Sequence, residues 1–228
     1  MGISVKIKRI LCIVGNNAAN IHGGLSLASK IAIFSYLIIA ANIIVFSKTL
    51  TDPEGYTLLI RNYGLIPAQI MKGQNLYTLI TSMFLHADII HIGLNMLFLL
   101  VSGDAVEREV GNFRFLGLYL VFGVIAGLFH CYLNSSSIIP TIGASGAIFG
   151  VLAAFAILFP FRWILKLFGF IPIPMPAIIF VFITILTETA YVSSGVVLNV
   201  AHTAHVGGFL AGVFLTLLFI PKRRSNKD

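Results

Sequence analysis

The chain is written in long apolar runs separated by short polar breaks, and the runs have membrane length. Six of them, at about 31–48, 84–103, 113–133, 141–160, 175–192 and 200–220, carry few charges. A helix needs about 20 mostly apolar residues to cross a bilayer. The pattern therefore predicts an all-α membrane protein of six transmembrane helices. The break between the first two runs, about 49–83, is the longest, and a structureless loop of that length is uncommon in a compact protein. It holds Tyr56, Tyr63 and Tyr77 with Ile66, Leu76 and Leu79. Aromatic residues favour the headgroup level, so this long outer loop is expected to fold against the membrane surface. The other breaks are short. Gly103 to Gly111 reads as a charged inner loop framed by glycines, Asn134 to Ser137 as an outer turn, and Phe170 to Pro176 as a helix break made by Pro172, Pro174 and Pro176.

Composition agrees. Hydrophobic residues make up 58% of the chain and charged residues 10%, with a mean hydropathy of +0.98. A soluble domain carries roughly 25% charge. The net charge of +7 does not form a basic stripe of the kind that binds nucleic acid. Lys6, Lys8, Arg9 and Lys30 precede the first run, and Lys222, Arg223, Arg224 and Lys227 follow the last. With both termini in the cytoplasm, the inner side holds these plus Arg108, Arg114, Arg162 and Lys166, against Lys48, Arg61 and Lys72 outside. That is a positive-inside bias. The expected organisation is a cytoplasmic tail at 1–30, a six-span domain at 31–221 and a basic cytoplasmic tail at 222–228. The apolar stretch Ile10–Val14 is too short for the core of a signal peptide. Cys12 and Cys131 fall on opposite sides of the membrane, which excludes a disulfide between them. No metal-spaced Cys/His group is present, and no metal or cofactor is expected.

Chemistry enters through polar groups at membrane depth, which are costly there and read as functional. Spans two, four and six run from outside to inside. His86, His91 and Asn95 lie at the start of span two, Ser145 about one turn into span four, and His202 and His205 in the first turns of span six. At about 1.5 Å per residue, His91, Ser145 and His205 share a depth roughly 5–10 Å below the outer boundary. Gly146, Gly150 and Ala154 in span four, and Ala204, Gly208 and Gly212 in span six, recur every fourth residue. Small residues at that interval let helices approach closely in lipid, which brings Ser145 near His205. A neutral histidine within reach can take the proton of a serine hydroxyl and make it a nucleophile. His91 and Asn95, four apart on one helix face, and the Ser145 backbone amide are candidate oxyanion donors. No acid lies near His205 in sequence or at its depth in spans two, four and six, so the expected site is a Ser/His dyad.

Gly143 to Gly146, His205 with Gly208 and Gly212, and His86–His91–Asn95 together resemble the motifs of the rhomboid intramembrane serine proteases. The resemblance covers about residues 30–220. It implies a compact rhomboid-like bundle, a Ser145 nucleophile, a His205 base, and an oxyanion site from His91, Asn95 and the Ser145 amide. It further implies cleavage of transmembrane protein substrates near the outer face of the lipid bilayer, without a cofactor, in a multi-pass protein of a prokaryotic cell membrane. Phe149 stands where the family commonly has a tyrosine thought to pack on the histidine ring. Asn75-Leu76-Tyr77-Thr78 occupies the stretch where many relatives carry a Trp-Arg pair, and Glu107 and Arg108 depart from the commonest inner-loop spacing.

Alternatives stay open at this stage. Ser145 alone reads as a packing serine bonded to its own helix. His86 reads as a structural residue of the outer loop, and His202 as facing either the cavity or solvent. His130 and His22 read as interface or tail residues. Glu188 in span five lies within one turn of the outer end, and is either a snorkelling acid or a gate or cavity residue. A catalytically inactive rhomboid-like binder of membrane proteins and a His/Glu-based transporter are the competing functions; the absence of an internal repeat counts against the second.

Overall fold

The computed structural model describes residues 31–168, 171–194 and 201–220. The expected tails at 1–30 and 222–228, with their basic residues, Cys12 and His22, lie outside the described residues.

The first helix, α1 (Ile33–Phe46), turns its small and polar residues Ser35 and Asn42 inward with Ile38, and leaves Leu37, Ile43 and Ile44 exposed. This is the inverse of a soluble helix and suits one bathed in lipid. Its N-terminus is held by Glu107, fully buried, whose carboxylate accepts from the backbone N–H groups of Phe34 at 2.8 Å and Ser35 at 2.7 Å. Those donors have no partner inside the helix, and a negative charge suits that end of its dipole.

The long outer segment is built from short helices. The largest is α2 (Pro53–Tyr63), which starts with Pro53 in its first turn and the Asp52 side chain accepting from Gly55 N–H. Single turns follow at Pro67–Ile70, Thr78–Thr81 and Ser82–Phe84. Asn75 adopts a positive φ of 51° and bonds Gln69 through its side chain, while the Tyr77 hydroxyl donates to the Asn62 carbonyl. These contacts hold the stretch at 75–78.

Helix α3 (Ile89–Phe98) passes through a π-helical turn at Leu99–Gly103 into α4 (Asp104–Val110). The expected charged loop at 103–111 is therefore mostly helix. Three of its four charges have partners, in the Arg108–Asp104 pair at 2.8 Å and in Glu107 at the start of α1, while Glu109 is exposed. The chain turns only at Gly111, where φ is +90°. Helix α5 (Asn112–Leu133) follows, then α6 (Ser145–Leu158), α7 (Ala177–Ser194) and α8 (His202–Phe219).

Five helical stretches are long and apolar enough to cross a membrane: Ile33–Thr51, Ile89–Val110, Asn112–Leu133, Ala177–Ser194 and His202–Phe219. The sixth expected span is the shorter α6, of 14 residues, about 21 Å at ~1.5 Å per residue. It starts at Ser145, not at 141, because the preceding residues are pinned elsewhere. Thr141 and Leu65 exchange backbone hydrogen bonds at 2.7 and 3.0 Å, Gly143 N–H bonds the Ser82 carbonyl, and Gly143 has a φ of +123°. Residues 146–148 and 150–156 of α6 are all buried, so the helix is walled by protein.

Between α6 and α7 the all-α expectation fails locally. Strands β1 (Trp163–Phe168) and β2 (Ile171–Pro176) pair antiparallel, with Trp163 opposite Pro176 and Phe168 opposite Ile171. Prolines at every second position of β2 lack N–H groups on one edge only. The alternate residues, of the same parity as Ala177, whose N–H bonds the Arg162 carbonyl at 2.8 Å, face β1.

Small residues set the packing around α6. A side chain at Gly146 would meet Ala126 of α5 at 2.7 Å, and Gly150 lies against Phe122. Gly208 and Gly212 of α8 press on the carbonyl oxygens of Gly146 and Gly150. The expected contact between spans four and six is present, with Gly146, Gly150, Ala204, Gly208 and Gly212 in it. Met83 and Met96 are buried packing residues.

Candidate active site

Ser145 is the first residue of α6 and follows closely on the Gly143 turn, so its hydroxyl projects where the helix begins. Its Oγ lies 2.8 Å from Nε2 of His205, the fourth residue of α8, which is 7% exposed. The close glycine packing of α6 and α8 produces this approach. Phe149, one turn after Ser145, stacks on the His205 ring with centroids 4.3 Å apart and planes 7° apart. The expected stacking is present without the tyrosine hydroxyl.

His91 and Asn95 line the same cavity as Ser145 and His205, a space of about 640 Å³ with mostly apolar walls. Asp88 caps α3 by accepting from the N–H groups of Ile90 and His91, each at 2.8 Å, and so orients the turn that carries His91. A Cβ at Gly143 would stand 2.9 Å from His91 Nε2 and 3.6 Å from Ser145 Oγ. The two polar atoms thus flank one glycine, and its positive φ makes any side chain there strained as well as crowded. Asn95 donates one amide hydrogen to the His91 carbonyl at 2.8 Å, which leaves a second. The N–H of Ser145 opens α6 and has no carbonyl within that helix to bond.

His86 precedes α3 and is fully buried. Its backbone N–H donates to the Tyr56 hydroxyl at 2.8 Å, and that hydroxyl donates to the His86 carbonyl at 2.7 Å. Burial raises the Tyr56 phenol above its ordinary range, so it keeps the proton that this exchange needs. The His86 ring meets His91 edge-on at 5.0 Å. It packs behind His91 in the segment that leads into α3. His130 is drawn into a polar cluster, with Nδ1 2.6 Å from Thr203 Oγ1 and Nε2 3.0 Å from Thr141 Oγ1. It ties α5 to α8 and to the segment before Ser145.

The acid-free histidine does not hold. Glu188 of α7 places Oε2 2.8 Å from His205 Nδ1 and 2.6 Å from His202 Nδ1. Its side chain is 14% exposed, so it is not snorkelling. The depth argument, applied to spans two, four and six, leaves out span five; Glu188 lies near the outer end of that run, at the level of Ser145. Glu188, His202 and His205 also bring ligand atoms within 4.8 Å of one another. Hydrogen bonds from both imidazoles to one carboxylate oxygen account for that convergence.

A polytopic membrane protein with a serine and a histidine paired inside an apolar cavity is the class that fold and site define. Residues 73–222 match the family model of the Rhomboid domain, and the chain belongs to the rhomboid family. It is 32% identical over 190 residues to Rhomboid protein 1, mitochondrial, of Saccharomyces cerevisiae, covering 78% of this chain and 51% of that protein. It is 29% identical over 197 residues to Rhomboid protease AarA of Providencia stuartii, covering 78% and 66% respectively. With Rhomboid protease GluP of Bacillus subtilis it shares 32% over 193 residues, 83% of this chain and 35% of that one. The chain spans between about a third and two thirds of the length of these relatives.

Proposed function

We propose that this protein is an intramembrane serine endopeptidase that cleaves transmembrane substrate helices near the outer face of a prokaryotic cell membrane. In this reading it has six spans with both termini in the cytoplasm, the short α6 counting as the fourth. The observation that carries the reading is the 2.8 Å approach of Ser145 Oγ to His205 Nε2 inside the cavity. The names of two relatives, both rhomboid proteases, support it.

The chemistry runs in two halves. Ser145 Oγ attacks the scissile carbonyl carbon as its proton passes to His205 Nε2. The tetrahedral oxyanion receives hydrogen bonds from the Ser145 N–H, His91 and Asn95. His205 then gives its proton to the leaving amine, and the C–N bond breaks to leave an acyl-serine. Water entering the cavity attacks the ester with His205 again as base, and the carboxyl product departs.

The test is a fluorophosphonate probe together with cleavage of a single-span substrate in liposomes. The intact protein labels and cleaves, while Ser145→Ala and His205→Ala do neither. Equal cleavage by all three refutes the assignment. Substrate capture without labelling by the intact protein favours the inactive binder.

A further inference from the structure

We propose that Glu188 is a positioning residue for His205, so that the working unit is a Ser145–His205–Glu188 chain; this rests on the protease reading above. An ionised carboxylate only accepts hydrogen bonds. Glu188 Oε2 lies 2.8 Å from His205 Nδ1, so that nitrogen carries the hydrogen. The neutral ring has one hydrogen to place. Its Nε2 is then the bare acceptor, and Nε2 is the atom 2.8 Å from Ser145 Oγ. The other tautomer would aim an N–H at the serine and a lone pair at the carboxylate, losing the base and setting two acceptors against each other. Glu188 thereby selects the tautomer that can take the serine proton.

The same contact works during the reaction. Once Nε2 has the proton, the ring is a cation between Ser145 and Glu188. The cavity walls are mainly apolar, and charges interact more strongly there than in water. The carboxylate stabilises the imidazolium without itself becoming protonated.

The carboxylate is itself held in place. Its Oε2 also accepts from His202 Nδ1 at 2.6 Å, and the His202 ring stacks on Tyr191 with centroids 4.7 Å apart. Glu188 and Tyr191 are one turn apart on α7, and His202 and His205 are one turn apart on α8. Two residues from each helix form the clamp. Its bonds reach across from a helix whose buried residues, Ala177, Phe180 and Val181, all lie in its first turns.

The test uses the full chain in liposomes with three readouts: the rate of Ser145 labelling by a fluorophosphonate, kcat and KM for a single-span substrate, and thermal unfolding. Glu188→Gln keeps the shape, removes the charge and can turn an NH₂ toward Nδ1. It is expected to lower kcat and the labelling rate together by about 10-fold or more, up to the ~10⁴-fold loss seen for an acid-to-amide change in a Ser-His-Asp triad, with KM within about twofold and the unfolding midpoint retained. Glu188→Asp keeps the charge at shorter reach and is expected to recover part of both rates. Gln and Asp variants that label and cleave at the intact protein's rates overturn the positioning role. Losses that track unfolding or KM alone, with no recovery by Asp, overturn it as well and leave a structural acid. In each of these cases the protease reading stands as long as the intact protein labels and Ser145→Ala does not. An intact protein that neither labels nor cleaves removes both proposals.

Discussion

Gly208 of α8 presses on the backbone carbonyl of Gly146 of α6, so the helices that carry His205 and Ser145 touch with no side chain between them. The helix-to-helix contact and the serine–histidine distance are thus one geometric fact. The obstacle to a side chain at Gly208 is backbone, which cannot rotate aside. Gly208→Ala is expected to destabilise the fold by about 1–3 kcal/mol and to slow fluorophosphonate labelling of the protein that remains folded. Unfolding in detergent together with the labelling rate checks this. A Gly208→Leu protein with unchanged stability and labelling would contradict the close approach.

His91 and Asn95 are predicted to act on the transition state and not on substrate binding. Removing one oxyanion donor costs about 10²–10³ in kcat elsewhere. His91→Ala is expected to fall in that range with KM little changed. Asn95→Ala should cost less, since one of its hydrogens is spent on the His91 carbonyl at 2.8 Å. A rise in KM with kcat intact would move both residues to substrate binding.

Glu107 offers a contrast, since it lies outside the cavity lining and is buried with two backbone donors at its carboxylate. Glu107→Ala leaves those N–H groups of α1 unpaired in a dry environment. The expected loss is about 2–6 kcal/mol of stability, at about 1–3 kcal/mol for each of the two orphaned groups. Labelling of Ser145 in the folded fraction should remain near that of the intact protein. Parallel unfolding and labelling measurements separate the two effects.

The parts of the fold that were readable from the sequence are those in which composition alone decides. Apolar runs located the helices, and the four-residue spacing of Gly146, Gly150, Gly208 and Gly212 foretold which two would touch. Depth counting put Ser145 and His205 at one level, the same spacing brought them together, and the resemblance to the rhomboid proteases implied the Phe149 ring stack. What escaped depends on long-range partners. The start of α6 is set by the Thr141–Leu65 pairing, which no local pattern announces. The segment at 103–111 looks like a loop because of its charges, yet Glu107 and Asp104 find partners that let it stay helical. Prolines at 172, 174 and 176 end a helix by rule, and their alternation also suits one edge of a strand. Glu188 was visible as an unusual acid, but its histidine partners come from another helix.

Phe149 covers one face of the His205 ring at 4.3 Å, and that contact changes in strength as the reaction proceeds. A neutral imidazole gains only stacking from the phenyl face, whereas the imidazolium formed when Ser145 attacks also gains a cation–π attraction. The benefit therefore falls on the transition state and should appear in kcat. Phe149→Leu keeps apolar bulk and loses the ring; at about 0.5–1.5 kcal/mol for such a contact, kcat is expected to fall roughly 2- to 10-fold. Phe149→Tyr retains the face and should stay within about twofold of the intact protein, since Phe149 lines the cavity. Steady-state cleavage in liposomes measures both. A Leu variant with normal kcat would reduce the ring to a packing residue, and a Tyr variant as slow as Leu would show that fit, not the aromatic face, is what the position requires.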